Sequence, residues 1–361
     1  MKFSIERNVL IGALAHVTGV VARKNTIPIL SCVLIDAAPG QLTIRATNLD
    51  MEATVRVDAT VSEVGSCCVA GSMLADIAKN AAEGADIALD LGKRLAIKTG
   101  RSRFNLAVQP TSDFPSFPAV EGGASFTWRA REIGAVINRV AFAQGADVGK
   151  AYLCGVRLFG TAGLLGVAAT NGKHIAIFDT LVAAPDFAIT VPTAMVNELK
   201  RMLDTDGDAT VSVSPTKLGV MVDGVEIIGK LVDGNFADFR GVVARTKHDA
   251  TATLAREELA GALRRVMLAA TDQETTARLA LETGAIVVTA KGQDADAEDS
   301  VACDYDGEPI MFGVNAAQVL QALAAIEGDD VEIRTGPHPN PFRLSAPGDD
   351  RFMVLNAVFR A

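Results

Sequence analysis

The sequence predicts an α+β protein built from three tandem copies of one unit, with helices on an inner face and antiparallel sheets outside. Three observations carry that prediction. An amphipathic stripe occurs three times, a glycine-centred hairpin occurs three times, and the tripeptide Ala-Thr-Asn occurs in "TIRATNLD" (Thr43–Asp50) and again in "GVAATNGK" (Gly166–Lys173). Repeats spaced this far apart indicate whole structural units laid end to end.

The first element is a helix in "FSIERNVLIGALAHVTGVV". Leu10, Ala13, Leu14 and Val17 follow the i, i+3, i+4, i+7 rule for one buried helix face. The same stripe returns as Ile133, Val136, Ile137 and Val140, and then as Leu259, Ala262, Leu263 and Val266. A strand–turn–strand follows in each copy, with Gly40, Gly163 and Gly284 in the turns, where a tight hairpin calls for positive φ. Second helices are expected over Ser72–Ala81, Thr193–Leu203 and Gly313–Ile326. Each runs into an acidic glycine turn ("EGAD", "DGDA", "EGDD") and closing strands. Each copy therefore has two helices and about eight short strands. The Pro- and Gly-rich stretch "QPTSDFPSFPAVEGG" reads as the first linker. Boundaries near Val120 and Arg245 divide the chain into 1–120, 121–245 and 246–361.

Composition narrows the function. Of the 361 residues 49% are hydrophobic and 21% charged, enough for large cores and too apolar for disorder. The N-terminus carries charges where a signal peptide needs an apolar core, and no apolar run is long enough to cross a membrane. Five cysteines, two of them adjacent at Cys67 and Cys68, fit neither a disulfide framework nor a metal site. A reduced, cytoplasmic protein is expected, with no cofactor and no metal. "GVEIIGK" (Gly224–Lys230) has phosphate-loop spacing, but Leu231 stands where Ser or Thr should hold magnesium, and the intervening residues alternate like a strand. "DTDGD" (Asp204–Asp208) lacks the glycine placement of a calcium loop. His16, His174, His248 and His338 have no ligand spacing. No catalytic constellation emerges, so a nucleotide hydrolase built on Lys230 is the weaker reading and a binding protein the stronger.

Charge says what is bound. The net charge is −9, yet the six helical windows total +7 and leave −16 for the remainder. Basic helices and acidic sheets suggest a helical face turned toward phosphates. Helices pack ~10 Å apart, so six closing a circle leave a hole of only ~9 Å, whereas twelve leave ~28 Å, enough for duplex DNA. Two chains would be needed.

At this point the residues resemble the bacterial DNA polymerase III β sliding clamp family over the whole chain. The resemblance rests on "MKFSIER", "NTIPIL", "GRSRF", "DFP", "ATNGKH" and "KLVDGNFADF" in order. It implies three DNA-clamp domains per chain, a head-to-tail homodimeric ring around double-stranded DNA of any sequence, and no catalysis. It also implies a groove for short peptides of the polymerase III α subunit, the clamp loader and other partners. Lys24 and Lys150 stand at DNA-facing positions, and the helical cations Arg7, Lys79 and Arg201 join them, while Thr193 and Ala194 replace a basic pair. For the ring interface, Phe104, Leu106 and Leu268 align with apolar contacts. Arg101 and Arg103 align with basic residues facing an acidic loop, here "DADAED" with Asp296 and Glu298. The groove maps to Leu153, Thr170, Gly172, His174 and Ile175, then Ala237, Gly241 and Val242, then Val354, Asn356, Ala357 and Val358. Ala237, Gly241 and Asn356 depart from the family's Pro, Arg and Met. That predicts a groove retuned toward a partner with a polar anchor, or a clamp-fold scaffold with altered partners.

Overall fold

The computed structural model describes residues 1–21, 26–270, 276–336 and 339–360. Among them are seven α-helices: α1 (Arg7–Thr18), α2 (Gly71–Asn80), α3 (Ala130–Ala141), α4 (Thr193–Met202), α5 (Phe239–Arg245), α6 (Arg256–Val266) and α7 (Ala316–Ala325). All strand pairings in the four sheets are antiparallel. The stripe expected of the first helix in each copy is buried in all three. Leu10, Leu14 and Val17 are at most 1% exposed, and Leu259, Ala262 and Leu263 are fully buried. The glycine hairpins also form as expected, with φ of 76°, 81° and 78° at Gly40, Gly163 and Gly284.

Two elements differ from the expectation. Gly313 lies inside a strand (Ile310–Asn315) rather than opening a helix. α7 starts only at Ala316, because Asn315 caps it by accepting from the Gln318 amide at 3.0 Å. α5 was not expected at all. It has only seven residues with Gly241 inside it, and it is held by Asp238, which accepts from the Gly241 amide at 2.9 Å, and by the buried ring of Phe239. The phosphate-loop lookalike is a strand, as expected, and its Lys230 is tied to Asp50 at 3.1 Å.

The chain divides into two compact units, and the cut passes through the middle copy. One unit holds Met1–Ala135 and Ala194–Leu231; the other holds Val136–Thr193 and Val232–Ala361. In the first unit, a five-stranded sheet runs Thr60–Glu63, Lys2–Glu6, Asp86–Leu91, Leu95–Thr99, Ser102–Leu106. Beside it, a nine-stranded sheet crosses from the first copy to the second where Met51–Asp58 pairs with Val225–Lys230. The second unit repeats the scheme. Its eight-stranded sheet crosses from second copy to third where His174–Ala183 pairs with Phe352–Asn356, and its four-stranded sheet runs Asp296–Ala302, Ala285–Lys291, Thr276–Glu282, Ile310–Asn315.

The repeated tripeptide marks these crossings. The Thr47 hydroxyl donates to the Met51 carbonyl at 2.9 Å, and the Asn48 side chain accepts from the amides of Asp50 and Met51. In the second copy the Thr170 hydroxyl donates to the His174 carbonyl at 2.7 Å, and Asn171 accepts from the amides of Lys173 and His174. One turn, closed by the same two side chains, reverses the strand just before each crossing.

Candidate functional site

The turn Thr170–His174 is one corner of the candidate groove. Gly172 sits at φ 87°, and Leu153, buried at 5% exposure, packs against it. The Ala357 amide donates to the Lys173 carbonyl at 2.8 Å, which brings the C-terminal segment to the same corner. Beyond it, Phe359 exchanges both backbone hydrogen bonds with Gly313, so the half-buried Val358 lies between two anchored residues.

Strand alternation sorts the remaining groove residues onto two faces, because directly opposed residues share a face. Ile175 lies opposite Leu355 and Ile177 opposite Met353. Ile177, Met353 and Leu355 join Ala168 and Phe239 in one buried apolar cluster, with Phe159, Ile175, Phe236, Val242 and Val243 packed on it and only partly buried. The half-buried Ala237 accepts from the Phe239 amide at 2.8 Å and so borders this cluster. Arg240 lies over the rings of Phe159 and Phe239, 5.5 and 5.3 Å from their centroids, and is held by a bidentate pair with Asp179. The result is a partly open apolar surface with a fixed cation beside it.

Asn356 and Val354, two residues expected in the C-terminal wall of the groove, lie on the opposite face of the sheet from Ile175. They oppose His174 and Ala176, and the residue opposite Ile175 is Leu355. On that other face the His174 ring meets Phe142 edge-on at 5.7 Å. His174 is 1% exposed and Asn356 2%, and neither side-chain amide atom of Asn356 has a hydrogen-bond partner among the described residues. Burial drives the His174 pKa down to about 4, with a smaller opposing pull from the Ala143 carbonyl, so the ring is neutral at physiological pH. Sequence reasoning missed Met353, Leu355, Phe236 and Phe239. The period-two alternation of "FMVLN" carried the signal for the first two.

The interface candidates lie on sheet edges. Ser102–Leu106 is an edge strand of the five-stranded sheet, and Asp296–Ala302 is an edge strand of the four-stranded one. Phe104 opposes Ile97 and Leu106 opposes Leu95, so both belong to the core-facing side; at the margin Phe104 is still 38% exposed. Arg101 and Arg103 are exposed, as are Asp296 and Glu298 on the other edge. Leu268, just past α6, is 86% exposed.

The DNA-facing candidates are less uniform than a basic helical face would require. Lys24 lies outside the described residues. Arg7 donates to Asn8 and to the Lys79 carbonyl at 2.9 Å, closing the end of α2. Arg201 is paired with the buried Glu198. Arg139 lies over Phe178 and Phe352 and pairs with Glu327 at 3.3 Å. Lys79 and Lys150 are exposed, and neither has an ion-pair partner among the described residues. Much of the positive charge counted on the helices is therefore spent inside the chain.

Comparison with known proteins decides the family. Residues 1–118, 129–238 and 243–358 match the N-terminal, central and C-terminal domains of the DNA polymerase III beta subunit. The chain belongs to that family. The beta sliding clamp of Caulobacter vibrioides is 32% identical, with 97% of each chain covered, and that of Escherichia coli K12 is 31% identical, with 92% of each covered. Among solved structures, a Pseudomonas aeruginosa sliding clamp superposes with a TM-score of 0.95 at 28% identity, and Caulobacter crescentus pol III beta with 0.94 at 30%; both cover 100% of each chain. A Bartonella birtlesii clamp bound to griselimycin gives 0.96 at 26% identity, again over both whole chains. As a member of the family the protein is a non-enzymatic DNA sliding clamp of replication with three clamp domains, a factor that works with DNA and with polymerase.

Proposed function

We propose that two copies of this chain join head to tail, Ser102–Leu106 of one against Asp296–Ala302 of the other. The ring so formed encircles duplex DNA in the cytoplasm and tethers the polymerase III α subunit, the clamp loader and other peptide-bearing partners. The domains of each copy are 1–120, 121–245 and 246–361. The observation that carries this reading is the pair of unfinished edges. One presents Arg101, Arg103 and the half-covered Phe104; the other presents Asp296 and Glu298 near the bare Leu268. Exposed edge strands with unpaired backbone groups and opposite charge are complementary templates. Joining them under two-fold symmetry closes the assembly rather than extending it.

Partner peptides are received on the surface of Ile175, Phe236 and Val242, which packs over the buried Leu355, with Leu153, Thr170 and Gly172 at one end and Arg240 beside it. DNA is held by enclosure more than by affinity, since Lys79 and Lys150 are the exposed unpaired cations among the described candidates. The test is retention on DNA circles. A loaded ring should stay on a nicked circle and leave once the circle is linearised. Equal loss from both forms would remove the reading.

A further inference from the structure

The first linker does not hang free of the nine-stranded sheet. Strand alternation gives that sheet two sides. Ile35, Ile44 and Val55 share the helix side, where Gly71 of α2 closes on Val33. The other side carries Leu34, Arg45 and Thr54 in one row, and Glu52, Ile228 and Gly219 in the next, each opposed to its neighbour. Glu52 is 8% exposed and Thr54 6%, although both point away from the helices.

Phe114 packs on the cluster of Leu34 and Cys68, with Arg45 5.9 Å from its ring centroid. Val120 reaches Gly219, where a Cβ would stand 3.0 Å from the valine Cγ2. Lys217 anchors that end. Its ammonium donates to the carbonyls of Pro118 and Ala119 at 3.0 and 3.3 Å and lies 5.8 Å from the Phe117 ring centroid. From the strand of Leu34 to the strand of Gly219 is four strand spacings, ~19 Å. The six residues from Phe114 to Val120 reach only ~20 Å when extended. The segment therefore runs nearly straight over Met51–Asp58 and Val225–Lys230, the strands of the first crossing, and so over Glu52. Pro115 and Pro118 suit that path, since proline fixes φ and favours an extended chain.

One carboxylate oxygen of Glu52 is buried without a partner. The cations around it are engaged elsewhere. Arg45 is held by Asp36 at 3.1 Å, Arg56 pairs with Glu226 at 3.9 Å, Lys230 with Asp50 at 3.1 Å, and Lys217 is spent on the linker carbonyls. Residues 110–123 bring Asp113 and Glu121 and no cation. Burial pushes the Glu52 carboxyl up, Arg45 draws it down and Glu226 pushes it up again. A protonated Glu52 is a neutral group under an apolar cover, whereas an ionised one must regain water. We propose that residues 110–123 form a strap across the first crossing, closed while Glu52 is protonated and released when it ionises. The strap, its anchor and Glu52 lie within one chain and away from the edge Ser102–Leu106, so the switch does not depend on ring closure.

Two adjacent cysteines supply the test. Cys68 opposes Leu34 on the strap side, and Cys67 opposes Ile35 on the helix side; both are buried. Unfolding exposes the two thiols together, so only release of the strap separates them. The full chain is treated with a pyridyl disulfide reagent at a series of pH values, and labelling at each cysteine is read by peptide mass spectrometry. In the wild type the ratio of Cys68 to Cys67 labelling should rise roughly tenfold per pH unit from about pH 5 to about 7, then level off. In Glu52→Gln the ratio should be flat. Lys217→Met removes the far anchor and should raise Cys68 labelling at every pH while Cys67 stays as it was. Equal labelling of both thiols throughout, a ratio in the wild type as flat as in Glu52→Gln, the same slope in both proteins, or indifference to Lys217→Met would each overturn the proposal.

Discussion

Glu52 and Asn356 occupy comparable strands at the two sheet crossings, and each sits uneasily. Glu52 is 8% exposed, with one carboxylate oxygen buried and unpaired. Burial pushes its pKa up to about 7; Arg45 pulls it down and Glu226 pushes it further up. A carboxyl raised in this way holds its proton in the folded state where the unfolded chain has lost it. Its contribution to stability is full below its ordinary value and is lost as pH rises through about 7. Glu52→Gln, neutral throughout, should therefore stabilise the protein by about 3 kcal/mol at alkaline pH, and the gain should fade as pH drops toward the ordinary carboxylate value. Urea midpoints at the two ends of that range would check it. For Asn356, both amide atoms are buried without partners, an arrangement that costs ~1–3 kcal/mol. Asn356→Leu should raise the denaturation midpoint, and it should leave binding of an apolar clamp peptide unchanged, because Asn356 lies on the sheet face opposite to Ile175 and the proposed groove. The substitution of Asn356 for the family's Met was legible in the sequence. The face it occupies was not, because strand register depends on a partner strand far away in the chain.

At the scale of elements, the long helices were legible because their stripes repeat at 3.6 residues and bury where that period says. α5 was not, because seven residues around Gly241 carry too little pattern. The reason for Gly241 is local: a Cβ there would stand 2.0 Å from the Asp238 carboxylate that caps the helix. Gly241→Arg, the family's residue, should displace that cap and loosen α5, at a cost of ~1 kcal/mol, measurable as faster amide exchange over residues 239–245. The edges give a second prediction. Leu268 is bare and Phe104 half-covered, so apolar cover should outweigh exposed ion pairs, which are worth little each. Leu268→Arg should sediment as a monomer, whereas Arg101→Ala should only weaken the dimer. A wild type already monomeric at micromolar concentration would rule out the interface.

For the whole molecule, threefold repetition was readable from a dozen matched positions, and the family follows from the same motifs. The distribution of charge was read too simply. Counting cations along helices ignores that Arg7, Arg139 and Arg201 are bound to groups of the chain itself. Binding to linear DNA should accordingly be weak. Lys79→Glu together with Lys150→Glu should lower loading onto circles without altering the sedimentation of the dimer.

The crossing strands have one more consequence. Met51–Asp58 finds its outer neighbour in Val225–Lys230, and His174–Ala183 finds its own in Phe352–Asn356. A chain severed at Val120 would carry a raw edge of eight residues, Met51–Asp58, on its first copy, with nothing of its own to cover it. Such a fragment should aggregate even though it spans a complete repeat. The three copies are thus units of pattern but not units of folding, since at each crossing a strand of one copy is covered by a strand of the next.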